Sequence, residues 1–336
     1  MKLTNLHLQN FKNFEDSAFN FDGKSAIICG TNSTGKSAVL AAINYLCWNW
    51  LHQLNPAQST FFKTLRAELV RFGASNLEIS ANFTLDGNHL ELRKAYTKAH
   101  SGKSARVENN KQLYDSFIAQ YLSLYGEGTG NLPIFVNYGS SRFVQDISLR
   151  ARMNHEISPW TALERTIDDT LDFHTFFEWF RNQEDYETEI IREQHDFDYR
   201  DSSLECVRKA IRVMLPGFED LRVKRNPDRL IIAKNSVEYN VSQLSGGEKC
   251  LLALIGDLSR RIAVANSNLP DPFEGTGVVL IDEIELHMCP AWQQRILLDL
   301  RKTFPNIQFI ITTHSPQVLS EVGDDFNIFT LPIINP

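Results

Sequence analysis

The chain has 336 residues, 43% hydrophobic and 22% charged, a composition suited to a globular α/β domain large enough to carry an insertion. A formal net charge of −7 argues against a surface uniformly coated for nucleic acid, and no apolar run approaches the length of a membrane span. The opening MKLTNLHLQNFKNF has no signal-peptide core, and Cys29, Cys47, Cys206, Cys250 and Cys289 show no ligand-like spacing, so reduced core thiols in a cytoplasmic chain are expected.

In chain order, Ala26-Ile27-Ile28-Cys29 reads as a buried strand and Ser37 to about Trp50 as a helix. Between them Gly30-Thr31-Asn32-Ser33-Thr34-Gly35-Lys36-Ser37 completes G-x-x-x-x-G-K-[ST]. The glycines let the backbone amides of this loop, from Gly30 through Asn32, Ser33 and Thr34 to Gly35, curl round phosphates. Lys36 then reaches the β and γ oxygens, and Ser37 offers its hydroxyl to Mg²⁺. Asn76 to Leu85 and Leu90 to Tyr96 alternate as strands around Asp86-Gly87-Asn88, a hairpin signal. Arg93, Lys94, Lys98, Lys103, Arg106 and Lys111 gather in one stretch, and Arg222, Lys224, Arg225 and Arg229 in another. Each cluster fits either a face for phosphate backbones or ordinary solvated surface.

The strand leading from Leu132 to Arg142 offers Asn137 and Arg142, the latter a candidate contact to a nucleotide or to the helical segment that follows. From Trp160 to Met214 the pattern is mainly helical, with an acid-rich stretch from Glu184 to Asp198 between two amphipathic runs. That stretch holds seven acids and one arginine, a balance that repels phosphate. No heptads persist, so a compact helical lid is expected instead of long coiled arms. Asp196-Phe197-Asp198 reads more readily as an acidic loop than as a metal site. Leu221 to Arg225 and Leu230 to Lys234 form a hairpin across Asn226-Pro227-Asp228.

Leu244-Ser245-Gly246-Gly247-Glu248 precedes a long apolar stripe that begins at Glu248 and runs through Leu251, Leu252, Leu254, Ile255, Leu258 and Ile262. Ser-Gly-Gly at a helix N-terminus leaves amides bare and admits an anion closely. Gly277 is followed by Val278 to Ile281, a strand covered on both faces, which ends in Asp282-Glu283. Adjacent carboxylates point to opposite sides of a strand end, so they take different tasks. Asp282 suits the magnesium shell, and Glu283 the orientation or deprotonation of an attacking water. Helix capping accounts for one of these acids but not both. Phe309 to Ile311 leads into Thr312-Thr313-His314-Ser315-Pro316. His314 lies where open α/β sheets bind ligands, within reach of a γ-phosphate, with a purely structural histidine as the plainer alternative.

The order of phosphate loop, LSGGE, strand-end Asp-Glu and strand-end His resembles the ABC-type ATPases. That resemblance implies an α/β P-loop NTPase, an ABC-type ATPase head with an antiparallel β-layer and a helical insertion, using ATP and Mg²⁺. It also implies a homodimer or higher homo-oligomer with sandwiched ATP. Ser245, Gly246, Gly247 and Glu248 of one subunit would close over the γ-phosphate held by the other. The L-x-L-x-N-F-K-N-F from Leu6 to Phe14 resembles the SMC, RecF and OLD ATPases, in which the basic residue at the Lys12 position approaches the nucleotide. EIELH-x-x-P and TTHSPQVL resemble the PtuA-type ATPases of Septu and retron anti-phage systems. Those systems imply a separately encoded effector, an HNH-type nuclease, with nucleic acid a candidate partner and no membrane. No spare set of carboxylates or histidines for phosphodiester cleavage is identifiable, so no intrinsic nuclease is expected. A RecF-like ATPase that clamps DNA for repair is the alternative. The expected division is an N-terminal ATPase lobe over 1–150, a helical insertion over 151–215, and a C-terminal lobe over 216–336 carrying the signature, the Asp-Glu pair and the His switch.

Overall fold

A computed structural model describes residues 1–54, 64–99, 104–126, 132–142, 158–168, 171 and 173–332. Lys103 and the expected boundary at 150 lie outside the described residues. In chain order the N-terminal elements are β1 (Lys2–Phe11), β2 (Phe14–Asn20), β3 (Ser25–Cys29), α1 (Lys36–Leu54), β4 (Asn76–Leu85), β5 (Asn88–Thr97), β6 (Arg106–Asn109), α2 (Lys111–Gly126) and β7 (Ile134–Tyr138). The insertion contributes α3 (Phe173–Gln194) and α4 (Ser202–Met214), followed by β8 (Phe218–Arg225), β9 (Asp228–Lys234) and β10 (Val237–Asn240). Then come α5 (Gly246–Ala265), β11 (Gly277–Ile281), α6 (Pro290–Thr303), β12 (Ile307–Thr313), the single turn α7 (Pro316–Leu319) and β13 (Phe326–Thr330).

The aliphatic runs become a parallel sheet in the order β13-β3-β12-β11-β7, assembled from both ends of the chain. Strands β3, β7, β11 and β12 are buried along their whole length, which is why they lack polar alternation. Gly277 is required where β11 passes β7, since a Cβ there would lie 2.3 Å from the Ile134 carbonyl oxygen. A second, antiparallel sheet runs β2-β1-β4-β5-β6. Its β4 alternates strictly, and the β4–β5 turn places Asp86 and Gly87 at φ +48° and +76°, the left-handed values a tight hairpin needs. A third sheet, β10-β9-β8, adds one strand to the expected hairpin. No helix among the described residues is long and apolar enough to cross a membrane.

Several charges expected at the surface are inside. Lys94 of β5 is 2% exposed and donates to the Tyr45 carbonyl and, at 3.0 Å, to Asn49 Oδ1, both on α1. Burial pushes its amine down to about 7. Arg93 pairs with Glu78, and Arg222 bridges Asp220 and Glu238. Both basic clusters are therefore partly spent within the chain. Most of the acid-rich stretch is helical, because α3 continues to Gln194, and Asp196-Phe197-Asp198 lies in the loop beyond it, as expected. Glu187 takes a bidentate pair from Arg208 of α4, at 3.0 Å for each bond, and accepts the Asp201 amide. Glu184 accepts the Val223 amide of β8 at 2.9 Å. Only the outer acids, such as Glu189 and Glu193, remain exposed. Among the cysteines, Cys289 departs from the expected core thiols: it is exposed, whereas the other four are buried.

Burial pushes the Glu184 carboxyl up to about 7, against the Val223 amide and the Arg225 and Arg208 guanidiniums. The folded chain thus holds this proton more tightly than the unfolded chain. The resulting stability is complete below the unfolded carboxylate value and is lost as pH rises toward 7. Glu184→Gln keeps the acceptor for Val223 and removes the buried charge. Its melting temperature should rise relative to the parent between about pH 5 and pH 8, a gain worth at most about 3 kcal/mol. Parallel melting profiles across that range would contradict the assignment.

Candidate nucleotide site

Four neighbouring strands end on one side of the parallel sheet, and each delivers a group there. From β3 comes the phosphate loop. Gly35 stands at φ +100°, and a Cβ on it would lie 3.0 Å from the ring of Phe14, which covers the loop. Thr34 Oγ1 donates to the Thr31 carbonyl at 2.9 Å, and Asn13 donates to the Ser33 carbonyl at 3.3 Å. Lys36 Nζ bridges the Gly30 and Thr31 carbonyls, at 2.9 Å each, and so holds the curvature. Among the described residues, none of the backbone hydrogen bonds outside helices and strands uses the amides of Asn32, Ser33, Thr34 or Gly35. Four spare donors ahead of a 19-residue helix form an anion cradle that fits the phosphates of a nucleotide.

Ser37 Oγ donates to Asp282 Oδ1 at 3.0 Å, and Thr312 Oγ1 donates to the same oxygen at 2.5 Å. Ser37 and Asp282 line a cavity of about 300 Å³ together with Lys12, Asn137 and Ser140. A carboxylate and a hydroxyl side by side are hard oxygen donors that suit Mg²⁺. Lys12 is brought to this cavity by a left-handed turn at φ +50°, anchored by its amide on the Leu69 carbonyl at 2.7 Å.

Glu283 lies just beyond Asp282 at φ +48°, half-buried, with its amide on Thr312 Oγ1 at 2.7 Å. His314 is fixed by Glu285: ring Nδ1 lies 2.9 Å from Glu285 Oε1, and the His314 amide donates to the same oxygen. Thr313 Oγ1 holds the other carboxylate oxygen at 2.8 Å. Glu285 is the residue that sequence reasoning passed over, although it stands in the EIELH run two places after Glu283. Arg142 does not face the cavity; its guanidinium is buried against the carbonyls of Gly139, Asp282 and Glu283.

The signature opens α5 at Gly246, two residues before the apolar stripe. Ser245 and Glu248 form a reciprocal capping box: Ser245 Oγ accepts the Glu248 amide at 3.3 Å, and Glu248 Oε2 accepts the Ser245 amide at 2.8 Å. The other Glu248 oxygen pairs with Lys234 at 2.5 Å, so both oxygens are engaged within the chain. Local helix chemistry therefore explains the serine and the glutamate that flank the glycines. The glycines themselves differ. A Cβ on Gly247 would lie 2.1 Å from the His287 carbonyl oxygen, whereas one on Gly246 would meet nothing within 4 Å. Gly247 is demanded by the chain's own packing, while Gly246 and the Ser245 hydroxyl stand exposed.

Gly247→Ala should therefore destabilise the protein by about 1–3 kcal/mol through overpacking against backbone. Gly246→Ala should leave stability unchanged or raise it by up to ~1 kcal/mol, the helix-propensity difference. Equal denaturation midpoints for the two variants would refute this division of roles.

The family described as "AAA domain, putative AbiEii toxin, Type IV TA system" matches residues 25–320. The chain is similar to the retron Ec83 probable ATPase of Escherichia coli, at 30% identity covering 98% of this chain and 71% of that protein. It is similar to the Septu protein PtuA of Bacillus thuringiensis, at 25% identity covering 89% of this chain and 68% of that one. The fold is similar to that of the SMC head domain from Thermotoga maritima, with a TM-score of 0.54, 17% identity, and 100% and 96% of the two chains covered. The chain belongs to this AAA-domain family and is an ABC-type ATPase of the SMC/RecF branch.

Proposed function

We propose that the chain hydrolyses ATP at composite sites made by two copies of itself, and that this cycle controls a separately encoded effector in anti-phage defence. The observation that carries the composite site is a separation. The cavity beside Ser37 and Asp282 is lined without Ser245 or Gly246, which stand exposed at the capped start of a 20-residue helix. A second anion-binding helix end that its own site leaves unused suits the nucleotide of a partner copy.

Within one site, the loop amides of Asn32 to Gly35 would grip phosphate oxygens and Lys36 would neutralise them. Ser37 and Asp282 would hold Mg²⁺, which when bound screens the negative charge of the transferred phosphoryl group. Glu283, free of the hydroxyls that occupy Asp282, would take a proton from the attacking water. Glu285 holds His314 through Nδ1 and leaves Nε2 as the nitrogen that meets the γ-phosphate. Lys12, which also lines the cavity, would add positive charge.

Similarity to relatives named for retron and Septu systems supports a defence role. In this reading the partner is an HNH-type nuclease and the compartment the cytoplasm. The helices α3 and α4 are the docking surface in this reading, because none of their residues lines the nucleotide cavity. The chain itself is not the nuclease. A RecF-like clamp draws less support, since Lys94 is buried and Arg93, Arg222 and Arg225 are paired within the chain.

Glu283→Gln should keep nucleotide affinity and lose about 10²–10³-fold in turnover, the loss typical of removing one polar catalytic group. Lys36→Ala should instead lose affinity. Near-normal hydrolysis by Glu283→Gln would remove that carboxylate from the chemistry.

Ser245→Arg should bind ATP as a single chain yet fail to hydrolyse it, because the arginine blocks closure on the partner's nucleotide. Mixed with Lys36→Ala, it should regain activity at one intact composite site per pair. Full turnover by a strictly monomeric preparation would defeat the two-copy site.

A further inference from the structure

Arg142, just beyond the end of β7, is among the largest fully buried side chains, with 1% of its surface exposed. Its guanidinium donates to the carbonyls of Gly139 at 3.0 Å, of Glu283 at 2.7 Å, and of Asp282. Among the described residues it forms no salt bridge, and the Asp282 and Glu285 carboxylates favour its charge only from a distance. Burial holds its pKa below the ordinary guanidinium value. A cation this deep is costly unless dipoles converge on it. Here they do, and two of the three carbonyls belong to the acid pair that ends β11.

The same pair is under backbone strain. Glu283 adopts a left-handed φ of +48°, a conformation that a glutamate keeps only where its surroundings impose it. The Asp282 amide donates to the Tyr138 carbonyl of β7 at 2.9 Å, and across β11, on the β12 side, the Glu283 amide donates to Thr312 Oγ1 at 2.7 Å. The Ile284 amide donates to the Thr312 carbonyl at 3.1 Å. Every backbone N–H and C=O of Asp282 and Glu283 is therefore bonded, and both carbonyls are bonded to one guanidinium. Arg142 also reaches the signature helix, since Cys250 Sγ of α5 donates to its carbonyl at 3.5 Å.

We infer that Arg142 is a positioning residue for ATP hydrolysis: by clamping the Asp282 and Glu283 carbonyls it sets the aim of the Glu283 carboxylate and ties it to the signature helix. This rests on the reading of Glu283 as the group that acts on water. Arg142 touches neither nucleotide nor water in this role. Its loss should show in the chemical step and not in binding.

The test uses the full chain with Arg142→Lys, Arg142→Met, Glu283→Gln and the double variant Arg142→Lys/Glu283→Gln. The measurements are kcat, KM, affinity for a fluorescent ATP analogue, and melting temperature. Arg142→Met should lower kcat by about 10²-fold, as misplacement of a reacting group by about 1 Å does, with KM and affinity nearly unchanged. Arg142→Lys should fall between that variant and the parent, because a compact ammonium cannot span three carbonyls. The double variant should be no slower than Glu283→Gln alone, since Arg142 acts through that carboxylate.

Persisting turnover in Glu283→Gln would overturn the base reading and the inference together. Loss there with parental kcat in both Arg142 variants would overturn the inference alone. A parallel fall in kcat, affinity and melting temperature, or additive losses in the double variant, would make Arg142 a fold pin only. If Arg142→Met does not fold, the lysine and double variants decide on the same criteria.

Discussion

Two hydroxyls converge on one carboxylate oxygen, and the rest of the site is arranged round that meeting. Ser37 and Thr312 both donate to Asp282 Oδ1, although Ser37 and Asp282 stand 245 positions apart in sequence. The parallel sheet makes the contact unavoidable. Strands β3, β12 and β11 are neighbours running the same way, so the residues that follow them are delivered to one edge. Side-chain alternation then separates the two acids. Asp282 is taken by the hydroxyls and Glu283 is turned aside by its left-handed backbone, so one oxygen set is available to a cation and the other to a proton.

Much of this was legible because it is local. Four consecutive aliphatics announce a strand buried on both faces, the loop from Gly30 to Ser37 carries its chemistry in its spacing, and Asp86-Gly87 announces a tight turn. What escaped depends on distant partners. Lys94, Glu184, Glu187 and Arg142 read as surface charges or ligand contacts, yet each is buried or nearly so against an element far along the chain. Lys94 meets α1, Glu187 meets Arg208, and Arg142 meets a strand end 141 residues away. A count of charges treats each one as solvated, and no window of sequence shows which face a later helix will cover. The capping box of Ser245 and Glu248 is a different failure. It was fully local, but the glycines between them drew the explanation toward a ligand.

That signature therefore answers two demands at once. Capping needs Ser245 and Glu248, close packing against the His287 carbonyl needs a residue without Cβ at Gly247, and the Ser245 hydroxyl with the amides of Gly246 and Gly247 is what remains for an external anion. The serine serves both uses without conflict, because as a cap it accepts a hydrogen bond and toward a phosphate it would donate one.

The body of α5 explains how such an exposed end can be mechanically tied to the interior. Near its middle, Asp257 is buried with Tyr138, Arg260 and Arg261; burial alone would raise its carboxyl, but the two guanidiniums hold it down to about 2. Tyr138 is the last residue of β7, and Arg261 continues on to the carbonyls of Ala162 and Glu164 ahead of α3. Gly256 leaves just enough room for the ring of Phe176 on α3, as a Cβ there would lie 2.9 Å from it. The helix that begins at the signature is thus bonded to the strand leading into Arg142 and packed on the insertion. A displacement at its N-terminus would have a bonded route through Tyr138 to the Asp282 amide, and through Cys250 and Arg142 to the carbonyls of the acid pair. In the other direction, Phe176 carries it to α3, so the insertion and the chemistry share one helix as their common support.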